Sequence, residues 1–143
     1  LKSVISAIVS FFEGVRNIFY WMPVVYRDKN FDEHYFYKII HHKLSDMERT
    51  FIKDDSFIIS AMSIRKAKAI LQRLIDDNYY HERVKGIDTK AFIQIKKGKY
   101  TVDREHPDFD RWSQAGEEAE RDRDHDKEEF FDILSTEING WWY

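Results

Sequence analysis

Small and polar residues at Ser3, Ser6, Ser10, Glu13, Gly14 and Asn17 recur every three to four positions through an otherwise apolar stretch. That spacing predicts a helix over residues 3 to 20 with a narrow polar stripe. Pro23 is expected to end it, because proline lacks a backbone donor and disfavours the helical region at Met22. Val24, Val25 and Tyr26 then read as a short extended connector. Asn30 followed by Glu33 forms a capping pair, so a second helix is expected from about Phe31 to Lys53 along the apolar line Phe36, Ile40, Leu44, Met47 and Phe51. The cluster Asp54-Asp55-Ser56 breaks it. A third amphipathic helix is expected over 58 to 80 on Ile64, Ala67, Leu71, Leu74 and Ile75, the return arm of an antiparallel helical hairpin.

Beyond Gly86 the period changes. Residues 92 to 102 (FIQIKKGKYTV) alternate on both sides of Lys97-Gly98, which predicts a small β-hairpin leaning on the helices. Pro107 and several Asp make 103 to 116 read as a loop. From Glu117 the chain is almost entirely charged as far as Glu129, without Gly or Pro, and then carries Phe130, Phe131, Leu134 and Ile138 at helical spacing. One last helix is expected, exposed over 117 to 129 and docked beyond it, with Gly140 as its stop and the closing aromatics packed on the body. The fold class is therefore mainly α, a helical hairpin or bundle with one small β-hairpin inserted at 92–102, in a single domain spanning 1–143.

Composition supports a folded chain. Its 143 residues and 17.4 kDa suit one core, and 16% aromatic residues supply ample material for it. No cysteine is present, which excludes disulfides, thiol nucleophiles and thiolate metal sites and points to a cytoplasmic setting. Glu13 and Arg16 interrupt the first helix before it reaches the ~20 apolar residues of a membrane span. Because that helix is apolar around most of its circumference, a homo-oligomer is expected. The net charge of -3 conceals a basic block of net +6 over 61–104 and an acidic block of net -9 over 105–143. The plain expectation is that the two blocks lie against each other and partly cancel.

Several motifs approach known chemistry without completing it. Asp122, Asp124 and Asp126 imitate a calcium loop, but Lys127 stands where that loop needs Gly and Ile133 where it needs Glu. His125-Asp126, with His34, His41 and His42 upstream, and the pairs Glu117/Glu120 and Glu129/Asp132 touch metal-dependent phosphohydrolase patterns without the framing that holds ligands still. No phosphate loop or nucleophile elbow occurs, and no cofactor or metal is expected. A better-formed cluster is His34, Lys38 and His42 on one helix face. Together with Lys43 of the same helix and Trp21, Tyr26, Arg27 and Arg73 from the flanking elements, Lys38 and His42 make a candidate ligand-binding set in the groove of the helical hairpin. Cations mixed with aromatics suit a base-plus-phosphate ligand. In this reading Arg73 is solvated and contributes little to the fold.

The run Trp21-Met22-Pro23-Val24-Val25-Tyr26-Arg27-Asp28, then Phe31-Asp32, Lys43-Leu44 and Met47, resembles a widespread group of short bacteriophage-encoded helical proteins. Residues 73–79 and the closing Ile138-Asn139-Gly140-Trp141-Trp142 are similar to that group as well. The resemblance covers about half of the chain and implies a phage origin, and small non-enzymatic phage proteins often bind a host factor or capture a host signalling nucleotide. The expected function is therefore non-catalytic capture of a small anionic nucleotide-like ligand in the host cytoplasm, as in counter-defence sequestration. The alternatives are a host-protein-binding inhibitor that uses the acidic helix or the basic hairpin, and a metal-dependent phosphohydrolase. Direct nucleic-acid binding is disfavoured by the negative net charge.

Overall fold

The structure, a computed structural model, describes residues 2–27, 33–53, 57–96 and 98–142. Its elements are α1 (Lys2–Val25), α2 (Glu33–Phe51), α3 (Ile58–Asp76), the short α4 (Tyr79–Arg83), a 3-10 turn (Thr89–Ala91), β1 (Ile93–Lys96), β2 (Lys99–Val102), α5 (Phe109–Glu137) and a closing 3-10 turn (Ile138–Trp142). The chain is mainly α with one antiparallel hairpin, as the periodicity predicts. The expected capping pair at Asn30 and the breaker at 54–56 lie outside the described residues.

α2 and α3 form the antiparallel hairpin, and α5 packs antiparallel to α3 on its other side. α3 is therefore the central element, and its buried row Ala61, Ile64, Ala67, Ile70, Leu71 and Leu74 meets Tyr37, Leu44, Met47 and Phe51 of α2 and Phe130 and Ile133 of α5. The two alanines let neighbouring backbones approach while the branched residues fill the space between them. Trp141 closes the end of this core, donating its indole N–H to Ser63 Oγ at 3.0 Å. On α2 the apolar line enters the core through Tyr37, since Phe36 is half exposed.

Several expected boundaries are corrected. Pro23 lies inside α1, which continues to Val25. The proline forfeits one helical bond, but the Tyr26 N–H still donates to the Met22 carbonyl at 2.9 Å and the Tyr35 hydroxyl donates to the Val24 carbonyl at 2.9 Å. The helix expected over 58–80 stops at Asp76, because Asp77 takes a left-handed conformation (φ 46°) and its N–H donates to the Arg73 carbonyl. Short polar side chains tolerate that conformation better than most. The expected loop over 103–116 is helical from Phe109, with Asp108 as the N-cap of α5 and Pro107 just outside it. Gly140 does not stop α5, which ends at Glu137 and continues as a 3-10 turn.

The expected β-hairpin pairs Ile93 with Val102 and Lys96 with Lys99, with Gly98 at positive φ in the turn. Its base leans on the helices. There Phe92 is buried against His106, Phe109 and Trp112, while Ile95 and Tyr100 remain exposed.

The acidic block is not the free face expected over 117–129. Ala119 and Asp126 are buried, and the carboxylates reach back to the basic block. Arg83 bridges Glu118 and Asp122, and Lys66 reaches Glu129 at 2.8 Å. The central pair is Arg73 with Asp126, a two-pronged contact at 2.7 and 2.5 Å, to which the Tyr79 hydroxyl adds a third bond at 2.5 Å. The Asp126 side chain is only 8% exposed, whereas that of Arg73 is 52% exposed. Burial raises the Asp126 pKa, but the bonds from Arg73 and Tyr79 outweigh it and hold the carboxyl below its ordinary value. The Tyr79 hydroxyl is pushed up, first by burial and then by its bond to Asp126.

Replacing Arg73 by Ala should lower stability by about 1 to 3 kcal/mol, toward the lower end because water screens the outer side of the guanidinium. Thermal melts of wild type and R73A measure this, and an unchanged Tm would show that Asp126 needs no cation. Since the folded pKa of Asp126 lies below the unfolded value near 3.8, its contribution is complete above that pH and is lost progressively as the pH falls below it, through the folded pKa. The gap between wild type and D126N should therefore close in acid.

Candidate functional site

The C-terminal half of α1 lies antiparallel along α2. Tyr20, Trp21 and Val24, one face of α1, meet His42 and Tyr35 of α2. The His42 ring stacks on Tyr20 at 4.0 Å and meets the Trp21 ring edgewise at 4.9 Å. Its Nε2 donates to the Tyr20 carbonyl at 3.1 Å, while the Tyr20 hydroxyl donates to the His42 carbonyl at 3.3 Å. The Arg49 guanidinium covers the Tyr20 ring at 4.9 Å. An aromatic and histidine clasp thus fixes α1 where apolar burial alone is slight.

Beside the clasp, α1, α2 and α3 enclose a cleft of 370 Å³. Arg27, Lys38, His41 and His42 line it with Tyr35, Gln72, Ile75, Pro23 and Val24. Lys38 Nζ sits 5.7 Å from the Tyr35 ring centre. Among the described residues no carboxylate lines this cleft. Two neighbouring hollows differ: one sets Asp46 among Arg16, Arg49 and Lys53, and the other sets Asp76, Glu82 and Asp122 against Arg73 and Arg83. Burial first, then the charges of Lys68 and His42, lower the His41 pKa against weaker opposing pulls from Asp76 and Glu48. A neutral imidazole near cations is poised to gain a proton when an anion arrives.

Of the residues selected from the sequence, Arg27, Lys38 and His42 come together here. Trp21 stands behind His42 as part of the clasp. Tyr26, 88% exposed, lies on an outer apolar hollow with Met22 and Val25. Lys43 is exposed on α2 away from the cleft, and Arg73 faces α5 and is engaged by Asp126. The set chosen from the sequence left out His41, Tyr35 and Gln72, which also line the cleft. His41 and Tyr35 were visible as neighbours on the α2 face, but Gln72 carried no signal. Among the described residues, no three His, Asp or Glu side chains converge to hold a metal ion, and Asp126 of the His125-Asp126 pair is occupied by Arg73 and Tyr79.

His42→Ala should loosen α1 while sparing the core. Amide hydrogen exchange should accelerate over residues 20–27 and stay unchanged through α3. Equal protection of α1 in both proteins would mean that the clasp does not hold it. No family model, curated protein or solved structure matches this chain.

Proposed function

We propose that the protein is a non-catalytic binding protein that takes a small anionic, nucleotide-like ligand into the cleft between α1, α2 and α3. The observation that carries this reading is the composition of the cleft. Among the described residues two cations and two histidines line it without a carboxylate, whereas the nearby hollows mix both signs. Phosphate oxygens would pair with Arg27 and Lys38, and the base would lie against Tyr35 and Ile75. A volume of 370 Å³ falls within the usual range for small-molecule sites. The resemblance to phage-encoded proteins supports sequestration of a signalling nucleotide in a host cell as its biological form.

Calorimetry against a panel of linear and cyclic nucleotides tests this. Each charge-assisted contact is worth about 1.5 to 3 kcal/mol, so Arg27→Ala or Lys38→Ala should weaken binding at least ~10-fold. R73A should bind as wild type does. Because the free His41 pKa is lowered, ligand binding should take up protons and tighten as the pH falls toward 6.5. Measuring heats in buffers of different ionisation enthalpy counts those protons. Absence of heat with every nucleotide refutes the reading, and magnesium-dependent loss of nucleotide would favour the phosphohydrolase instead.

One observation favours capture of a host protein as the second reading. The β-hairpin stands out from the body with Ile95 and Tyr100 exposed, an edge that a partner would cover. The acidic helix offers less, since several of its carboxylates are already paired within the chain.

A further inference from the structure

We infer that α1 is a self-association element, which pairs with α1 of a second copy along its outward face. Ile5, Ile8, Phe12, Val15, Phe19 and Met22 follow one another at alternating spacings of three and four residues. This is the seven-residue repeat of a helix built to lie along another helix. Val4, Phe11, Ile18 and Val25, seven apart, widen the seam on one side. The opposite face, through Asn17, Tyr20 and Val24, is the one turned toward α2, so the body leaves the seam uncovered. All of these seam residues are exposed except Val15, which is half buried; Phe12 is 65% exposed.

The pairing of Val24 with Tyr35, Tyr20 with His42, and Arg16 and Asn17 with the Arg49–Lys53 end of α2 has a geometric consequence. The residues before Arg16 run past the end of α2, so the first half of α1 projects from the bundle. The large apolar side chains along α1 expose on the order of 1,000 Å². A monomer's largest apolar patch is about 300 to 600 Å², and a standard interface needs about 800 Å² from each partner. The exposed area is what a stable dimer requires.

Two further observations select a second copy over a lipid surface. The polar stripe of α1 is mostly Ser and Asn rather than the Lys and Arg that hold an interfacial helix on anionic lipid. In addition, the C-terminal half of α1 bears an apolar hollow of 360 Å³ lined by Ile18, Trp21, Met22, Val25 and Tyr26, while its N-terminal half bears the bulky Phe11 and Phe12. The knob lies near the middle of α1 and the hole near its C-terminal end, so an antiparallel pair seats the knob of each copy in the hole of the other. That arrangement closes under a two-fold axis and sets Phe12 of one copy against Met22 of the other.

Analytical ultracentrifugation of the full chain should give twice the mass of 17.4 kDa. Phe12→Glu should weaken dimerisation about 100-fold by burying a charge in the seam, while Ser10→Glu, on the polar stripe, should leave it intact. The chain has no cysteine of its own, so Phe12→Cys and Met22→Cys proteins should form a mixed disulfide on oxidation together. A monomer at all concentrations overturns the inference, as does a monomer that gathers on anionic vesicles. Equal dissociation by Phe12→Glu and Ser10→Glu also overturns it, and efficient self-crosslinking of Phe12→Cys alone overturns the antiparallel arrangement.

Discussion

The Asp126 carboxylate is the constraint around which the helices are arranged. A carboxylate so nearly removed from water is costly unless every strong acceptor position finds a donor. Arg73 from α3 and Tyr79 from α4 supply those donors, so one side chain ties three helices together. Buried ion pairs add less net stability than their close contacts suggest, because desolvation offsets much of the attraction. Their effect on register is stronger. Sliding α5 by one turn would strand the carboxylate against apolar side chains and pull Phe130 out of the core. The outer pairs Lys66 with Glu129 and Arg83 with Asp122 then form at the spacing that this register dictates, each contributing little alone.

That arrangement also decides where positive charge is left. α5 lies along one side of α3 and draws Lys66, Arg73 and, through α4, Arg83 into pairs. Glu48 at the α2–α3 contact is held by Lys68 and Arg65, which lower its pKa. Arg27 and Lys38 line the cleft on the far side of the hairpin, away from the acidic helix. The proposed ligand cleft thus follows from the placement of α5, although α5 contributes nothing to its walls. Its third wall comes from α1, which rests on the clasp of His42, Tyr20 and Trp21 rather than on a deep core. The seam and the cleft lie on different faces of that same helix.

Periodicity in the sequence determined the elements that bury a continuous row: α2 and α3 with Leu44, Met47, Phe51, Ile64, Leu71 and Leu74, and the strands around Gly98. Their side-chain spacing is a local property, set by 3.6 residues per turn in a helix and two in a strand. The pairing of the basic block with the acidic one was also legible in outline, since opposite blocks in one small chain tend to meet. Tertiary structure alone decided the rest. Asp77 ends α3 by a backbone conformation that its neighbours impose, and residues 109–116 become helix because Phe109 and Trp112 pack on Phe92. The candidate set divided for the same reason. Arg27, Lys38 and His42 share a cleft because α1 folds back along α2, while Arg73, one residue beyond Gln72, faces Asp126 because successive helical residues point about 100° apart. Which residue of such a pair meets the cleft depends on how neighbouring helices rotate, and that rotation is fixed by contacts between positions far apart in the chain.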